Sequence, residues 1–145
     1  AFVWKKNTIF ATYLDGVLQN SRVAANVNLP IFSGTTAFIG SFNGSSEFMN
    51  GNIDEVRIWN TARTVQEIAD NMSATLNGDE TGLKAYYTFN QGEPGGTNSS
   101  ITTVSNLTST PNLNGTLTAF ANASTPFFNF SRASTSKKIS FAILR

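Results

Sequence analysis

The sequence predicts an all-β protein, an antiparallel β-sandwich with one short helix. Short segments with alternating apolar residues recur along the 145-residue chain, turn residues separate them, and a single segment has helical periodicity. Hydrophobic residues make up 40% of the chain and aromatic residues 12%, which suits one domain with a sizeable core.

The first segments predict a β-hairpin. Residues 1–7 are expected to start as a strand and end in a turn. Residues 8–14 carry bulky side chains at both parities, as in a strand covered on both faces. Asp15-Gly16 is a strong hairpin signal, because both central positions of a type I′ turn need positive φ. Residues 17–20 are then expected to return antiparallel.

The next segments continue this alternation of strands and turns. Residues 37–42 are expected to form a strand, and the Asn-Gly-Ser-Ser run at 43–46 a turn. The run Gly-Asn-Ile-Asp-Glu-Val-Arg-Ile-Trp-Asn at 51–60 predicts a further strand that ends in a corner. A sheet needs bulky core residues, so Trp59 is expected inside.

One helix is predicted, from Val65 to about Met72. Thr64 and Glu67 have the spacing of a capping box. Apolar residues recur at i, i+3, i+4 and i+7, at Val65, Ile68, Ala69 and Met72. About two turns are not stable alone in water, so this helix is expected to dock on the sheets.

The second half of the chain predicts one clear strand and a long loop. Residues 83–89 alternate, and four of them are expected in the core: Leu83, Ala85, Tyr87 and Phe89. Residues 91–112 are rich in Gly, Pro, Ser, Thr and Asn. A stretch of that length predicts a surface loop that binds or covers something.

The C-terminal residues predict further short strands. Residues 116–120 are expected to form one, and residues 125–130 another at an edge, because Pro126 cannot donate a ladder hydrogen bond. The apolar run at 139–144 is expected to start another unit or to pair along an edge. The predicted domain spans residues 1–131, with 132–145 as a linker or the start of a following segment.

Composition excludes several classes of function. Charged residues make up 13% of the chain and the net charge is +1, so no basic face for nucleic acid is indicated. Without His or Cys, the chain has no catalytic triad, thiolate or His-based zinc site. No apolar run reaches the ~18 residues that membrane insertion needs. A surface of Asn, Thr, Ser and Gly is typical of secreted β proteins.

The order of these segments resembles a known family. The run at 13–18, Phe38-Ile39-Gly40, the run at 51–60, the capped helix and the strand at 83–89 are similar to a laminin-G-like, concanavalin A-like jelly roll. The variety most similar occurs in large secreted or surface proteins of Bacteroidetes-type bacteria. Such domains usually have several strands before the first one here. The resemblance therefore implies a C-terminal portion of a jelly roll, either a fragment or a chain whose missing strands come from another chain.

The resemblance implies a non-catalytic adhesion or carbohydrate-binding module of a secreted or cell-surface bacterial protein. Its expected partners are a polysaccharide or glycoprotein and other domains of a larger polypeptide. A structural spacer without a ligand is the alternative. A laminarinase-type glycoside hydrolase is less favoured, because Asp54 and Glu55 are adjacent in a strand. Adjacent side chains point to opposite faces, whereas a hydrolase needs two carboxylates flanking one bond.

Two residues are candidates for binding. Domains of this fold often carry Ca²⁺, and Asp54, at a strand start, is the candidate ligand. The alternative is that Asp54 caps a corner or pairs with Arg57 or Arg63. Tyr86, on the face opposite to Tyr87, is the candidate exposed platform for a sugar ring. Seven Asn-x-Ser/Thr sequons are interpreted as a chance product of the composition.

Overall fold

The computed structural model describes residues 1–25, 36–49, 53–92, 100–110 and 112–117, and the backbone of 138–143. The described elements confirm an all-β fold of mostly antiparallel strands with one short helix. In chain order they are β1 (Phe2–Lys5), β2 (Ile9–Leu14), β3 (Val17–Arg22), β4 (Asp54–Trp59), α1 (Val65–Asn71), β5 (Leu83–Tyr87), β6 (Thr103–Val104), β7 (Gly115–Thr116) and β8 (Lys138–Ile143).

Six strands form one sheet in the order β3-β2-β1-β8-β4-β5. The pairs β1–β2, β2–β3 and β4–β5 are antiparallel, whereas β8 runs parallel to both β1 and β4. The strand Lys138–Ile143 therefore lies in the centre of the sheet. This corrects the expectation that the apolar run at 139–144 pairs along an edge. The predicted domain boundary at residue 131 stays a prediction.

The predicted hairpin is confirmed. Asp15 and Gly16 have φ values of 49° and 77°, as a type I′ turn requires. The turn joins β2 to β3, and a bulge interrupts the pairing beside Thr12 and Tyr13. All six residues of β3, at the end of the strand order, are exposed.

The strand expected at residues 37–42 is wrong. In that region the structure has a single bridge, between Phe42 and Ser46, around the predicted turn. Gly40, Asn43 and Glu47 have φ values of 82°, 52° and 50°, and these left-handed conformations interrupt an extended chain.

The capping box of α1 is confirmed. The Thr64 hydroxyl accepts a hydrogen bond from the Glu67 backbone N–H, and the Glu67 carboxylate accepts one from the Thr64 N–H at 2.8 Å. Of the predicted apolar stripe, Ile68 is buried. Met72 lies beside the β2–β3 turn, so close that a Cβ on Gly16 would be 2.7 Å from its sulfur. The helix thus docks on both the core and the hairpin.

The core lies between α1 and the sheet. It comprises Val3, Ala11, Tyr13, Trp59, Ile68, Leu76, Leu83 and Tyr86. The prediction for Trp59 is confirmed. On β5, Leu83 and Ala85 are buried as predicted and Tyr87 is half-buried. Phe89, also expected in the core, lies beyond the end of β5 and is half-buried.

The described part of the long loop at 91–112 covers the outer edge of β5. Leu107 donates a backbone hydrogen bond to the Tyr86 carbonyl at 2.9 Å, and Asn106 accepts one from the Tyr86 N–H at 2.9 Å. The loop also contains β6, which pairs with β7. β7 begins at Gly115 and ends at Thr116; residues 118–120 and the strand expected at 125–130 lie outside the described residues.

Candidate functional site

Among the described residues, the buried charged side chains are those of Glu55 and Arg57, and the Glu55 carboxylate joins them in one network. Its Oε2 accepts hydrogen bonds from Arg57 Nη2 and from the Tyr86 hydroxyl, both at 2.6 Å. Glu55 is 5% exposed and Arg57 1%, so this ion pair is shielded from solvent. Glu55 has φ 53°, and its N–H donates to Asp54 Oδ1 at 2.8 Å.

Arg57 connects the sheet to the chain that follows α1. Its Nη1 donates to the Asn71 carbonyl at 2.6 Å, and its Nη2 also donates to the Ala74 carbonyl. The guanidinium lies 5.2 Å from the centre of the Tyr86 ring. A buried charge is tolerated when it is paired and fully hydrogen-bonded, and Arg57 meets most of that requirement through two carbonyls and one carboxylate.

The expectation that Tyr86 is an exposed sugar platform is wrong. Tyr86 is 0% exposed, because α1 and the chain after it cover that face of β5. Its hydroxyl donates to Glu55 and accepts from the Leu76 N–H at 3.3 Å. Burial raises the pKa of Tyr86, and the hydrogen bond to Glu55 raises it further. The alternation of β5 correctly separated Tyr86 from Tyr87, but the sequence did not show that both faces are covered.

The structure locates Asp54 at the start of β4, half-buried, with Oδ1 accepting from the next N–H. The two arginines considered as its partners instead form ion pairs with Glu55 and Glu67. Within the described ranges, no group of three or more acidic side chains could hold a metal ion. Asn50 and Asn52 lie outside those ranges, and the metal ligand stays a prediction.

The described carboxylates also do not form a glycosidase pair around Glu55. A hydrolase needs two carboxyl groups facing one bond across about 5–9 Å of open site. Glu55 is instead enclosed by Arg57 and Tyr86, while Glu47 is exposed on a loop before β4.

Both tryptophans are buried, at 6% exposure for Trp4 and 3% for Trp59, so neither ring offers a flat surface to solvent. Arg63 lies over the Trp59 ring at 4.2 Å and forms an ion pair with Glu67. Among the residues that the structure describes, the exposed aromatic side chains lie in the loop at 36–49: Phe38, Phe42 and Phe48. Sequence reasoning missed them because it placed the first two in a strand. The signal was present in the cluster of Gly and Asn around them.

The loop at 36–49 is braced by its own hydrogen bonds. Phe42 N–H donates to the Ser46 carbonyl at 2.9 Å, and Met49 N–H donates to the Gly40 carbonyl at 2.8 Å. Asn43 Oδ1 accepts from the Ser45 N–H at 3.1 Å and from its hydroxyl at 2.6 Å. These contacts give the turn a defined shape.

Comparison with protein families gives one match. The family model described as the concanavalin A-like lectin/glucanases superfamily matches residues 1–69. The matched part contains β1 to β4 and most of α1, including the hairpin, the loop at 36–49 and the Glu55–Arg57 pair. It supports the resemblance to this domain family over just under half of the chain. No curated protein and no solved structure matches the chain.

No helix in the described part of the chain is long and apolar enough to cross a membrane.

Proposed function

We propose that the chain is a non-catalytic adhesion or carbohydrate-binding module of a secreted or cell-surface bacterial protein. The observation that carries this proposal is the match of residues 1–69 to the concanavalin A-like lectin/glucanases superfamily. That description covers both sugar-binding proteins and glucanases. Because one fold hosts many functions, the choice between them depends on the side chains present.

The carboxylates favour binding over hydrolysis. A retaining or inverting glycosidase needs an acid and a second carboxylate, both accessible to the sugar. Glu55 has its carboxylate bound to Arg57 and Tyr86 inside the core. Removing it from this network would leave the Arg57 guanidinium buried without its counter-ion. These contacts support a structural role for Glu55.

The composition favours a neutral partner. With 13% charged residues and a net charge of +1, the chain has little charge with which to recognise an anionic polymer. Its surface is supplied largely by amide and hydroxyl side chains. Those groups exchange hydrogen bonds with sugar hydroxyls, and a polysaccharide or the glycan of a glycoprotein is the proposed partner.

Calcium is a separate part of the proposal. The concanavalin A-like family implies it, but the described residues supply one carboxylate at the Asp54 corner, below the ~6–8 oxygen ligands that Ca²⁺ takes. Calorimetric melting in Ca²⁺ and in EDTA tests the metal. A higher midpoint in Ca²⁺ supports binding to the folded state, and an unchanged midpoint removes the metal from the proposal.

A polysaccharide pull-down with the chain in Ca²⁺, followed by a glycan array, tests the main proposal. Saturable binding to at least one glycan, absent from heat-denatured chain, is the expected result. Absence of binding would favour the structural spacer. Release of reducing sugar from the bound polysaccharide would instead support the glycoside hydrolase.

A further inference from the structure

The loop at 36–49, here called the aromatic loop, contains the exposed aromatic side chains of the described residues. Phe42 is 62% exposed, Phe48 61% and Phe38 46%. Ile39 and Met49 in the same loop are also exposed. Single exposed apolar residues are normal, but a cluster within one loop marks an interaction site.

The aromatic loop holds these rings on a shaped backbone. Its two arms are linked by hydrogen bonds between Phe42 and Ser46 and between Met49 and Gly40. The Phe38 ring lies over the turn, where a Cβ on Gly44 would be 2.6 Å from it. A loop braced before binding loses less conformational entropy when a ligand arrives. The exposed rings are thus pre-positioned.

Charge restricts the kind of ligand. Within residues 36–49, Glu47 is the one charged residue, and no Lys or Arg is present. A single negative charge disfavours sulfated or uronic polymers, anionic lipid surfaces and nucleic acid. The loop otherwise combines aromatic faces with the amide and hydroxyl groups of Asn43, Ser45 and Ser46. This chemistry complements a neutral sugar, which has an apolar C–H face and hydroxyl edges.

We propose that the aromatic loop is the glycan-binding site, in which Phe42 and Phe48 pack on the C–H faces of a neutral polysaccharide. The inference rests on the proposed carbohydrate-binding function and adds the site and the charge class of the ligand. Nothing in it requires calcium or the residues of the buried network.

The test measures binding of the full chain to soluble neutral β-glucan, xylan and mannan, with polygalacturonate and heparin as anionic probes. Phe42→Ala and Phe48→Ala are compared with Leu18→Ala, an exposed apolar residue of β3 outside the loop. Each lost ring is expected to weaken binding to the neutral polysaccharide about threefold to tenfold. Leu18→Ala is expected to bind like the parent chain. All three side chains are exposed, so melting midpoints should match.

Four results would overturn the site. Binding that both Phe variants retain would locate the glycan elsewhere and leave the proposed function standing. Stronger binding to the anionic probes would contradict the charge argument. Concentration-dependent self-association that Phe42→Ala abolishes would identify the loop as an interface with a second copy. Absence of any polysaccharide binding by the parent chain would reject the site together with the proposed function.

Discussion

The two ends of the six-stranded sheet differ in what they bury. At the β4–β5 end an ion pair, Glu55–Arg57, lies in the core, and the chain at 106–108 covers the outer edge of β5. At the β3 end every residue is exposed, including the apolar side chains of Val17 and Leu18. The β4–β5 end thus buries a charged pair together with apolar residues, whereas the β3 end buries no residue of its strand.

We infer that contacts at the β4–β5 end stabilise the folded state, whereas the exposed residues of β3 and of the aromatic loop are accessible to partners. Buried polar networks are costly to break, because a lost partner leaves an uncompensated charge. Exposed apolar residues contribute little to folding, since they stay in water.

Replacing Arg57 by Met should have the largest effect on stability. It removes the counter-ion of a buried carboxylate and the donors to the Asn71 and Ala74 carbonyls. We expect the free energy of unfolding to fall by about 3–5 kcal/mol, measured by urea denaturation. The double variant with Glu55→Gln should recover part of this loss, because the buried charge is then absent. A loss below about 1 kcal/mol for Arg57→Met would contradict the importance of the network.

Replacing Tyr86 by Phe should cost less, about 1.5–3 kcal/mol, because one hydrogen bond to a charged group is lost while the ring still fills the core. Tyr87→Phe is the matched control on the same strand. The Tyr87 hydroxyl donates to the Leu113 carbonyl at 2.6 Å in an exposed position, so its loss should cost under about 1 kcal/mol. Equal losses in the free energy of unfolding for the two variants would show that the buried hydrogen bond of Tyr86 stabilises the fold no more than the exposed one of Tyr87.

Replacing Thr64 by Ala should lower the free energy of unfolding by about 1 kcal/mol, since α1 loses its N-terminal cap. Thr75→Ala, in an exposed position after the helix, should change it by less than about 0.5 kcal/mol. A Thr64→Ala loss no larger than that of Thr75→Ala would argue against the cap.

The cap also predicts a pH dependence. The hydrogen bond from the Thr64 backbone N–H holds the pKa of Glu67 below its usual value. A carboxyl with a lowered folded pKa stabilises above its unfolded pKa, and the effect is lost as pH falls through the folded pKa. Thr64→Ala keeps this backbone donor, so the matched variant is Glu67→Gln, which removes the titrating group. The difference in stability between the parent chain and Glu67→Gln should therefore shrink in acid. Denaturation midpoints across the acidic range provide the measurement.

The sequence predicted local structure where the cause is local. Asp15-Gly16 determines its turn, and Thr64 with Glu67 determines the helix start, because neighbouring residues satisfy each requirement. Positions that depend on distant chain were missed. Tyr86 is buried by residues around Leu76, and β8 joins the sheet between strands far away in sequence. Alternation alone does not show whether the second face of a strand is covered.

At the candidate site, too, the contacts between residues distant in the sequence were missed. Glu55 and Arg57 are two residues apart in the sequence, but their common partner Tyr86 lies 31 residues from Glu55. The sequence therefore suggested a metal ligand at Asp54 alone, and it assigned no role to Arg57 beyond a partner for Asp54. The exposed rings of the aromatic loop were missed because residues 37–42 were interpreted as a strand. The left-handed conformations of Gly40 and of Asn43, just after it, interrupt an extended chain.

Replacing Val17 by Thr should have the smallest effect on stability. It tests directly whether the β3 end contributes to the free energy of unfolding. Val17 is 63% exposed, and Thr keeps its β-branched shape, so the free energy of unfolding should change by less than about 0.5 kcal/mol. The result should not depend on protein concentration. A loss above about 1 kcal/mol, or one that grows with concentration, would mean that another surface covers β3 in solution. In that case the β3 end would contribute to stability through association, since an edge strand pairs readily with a further strand.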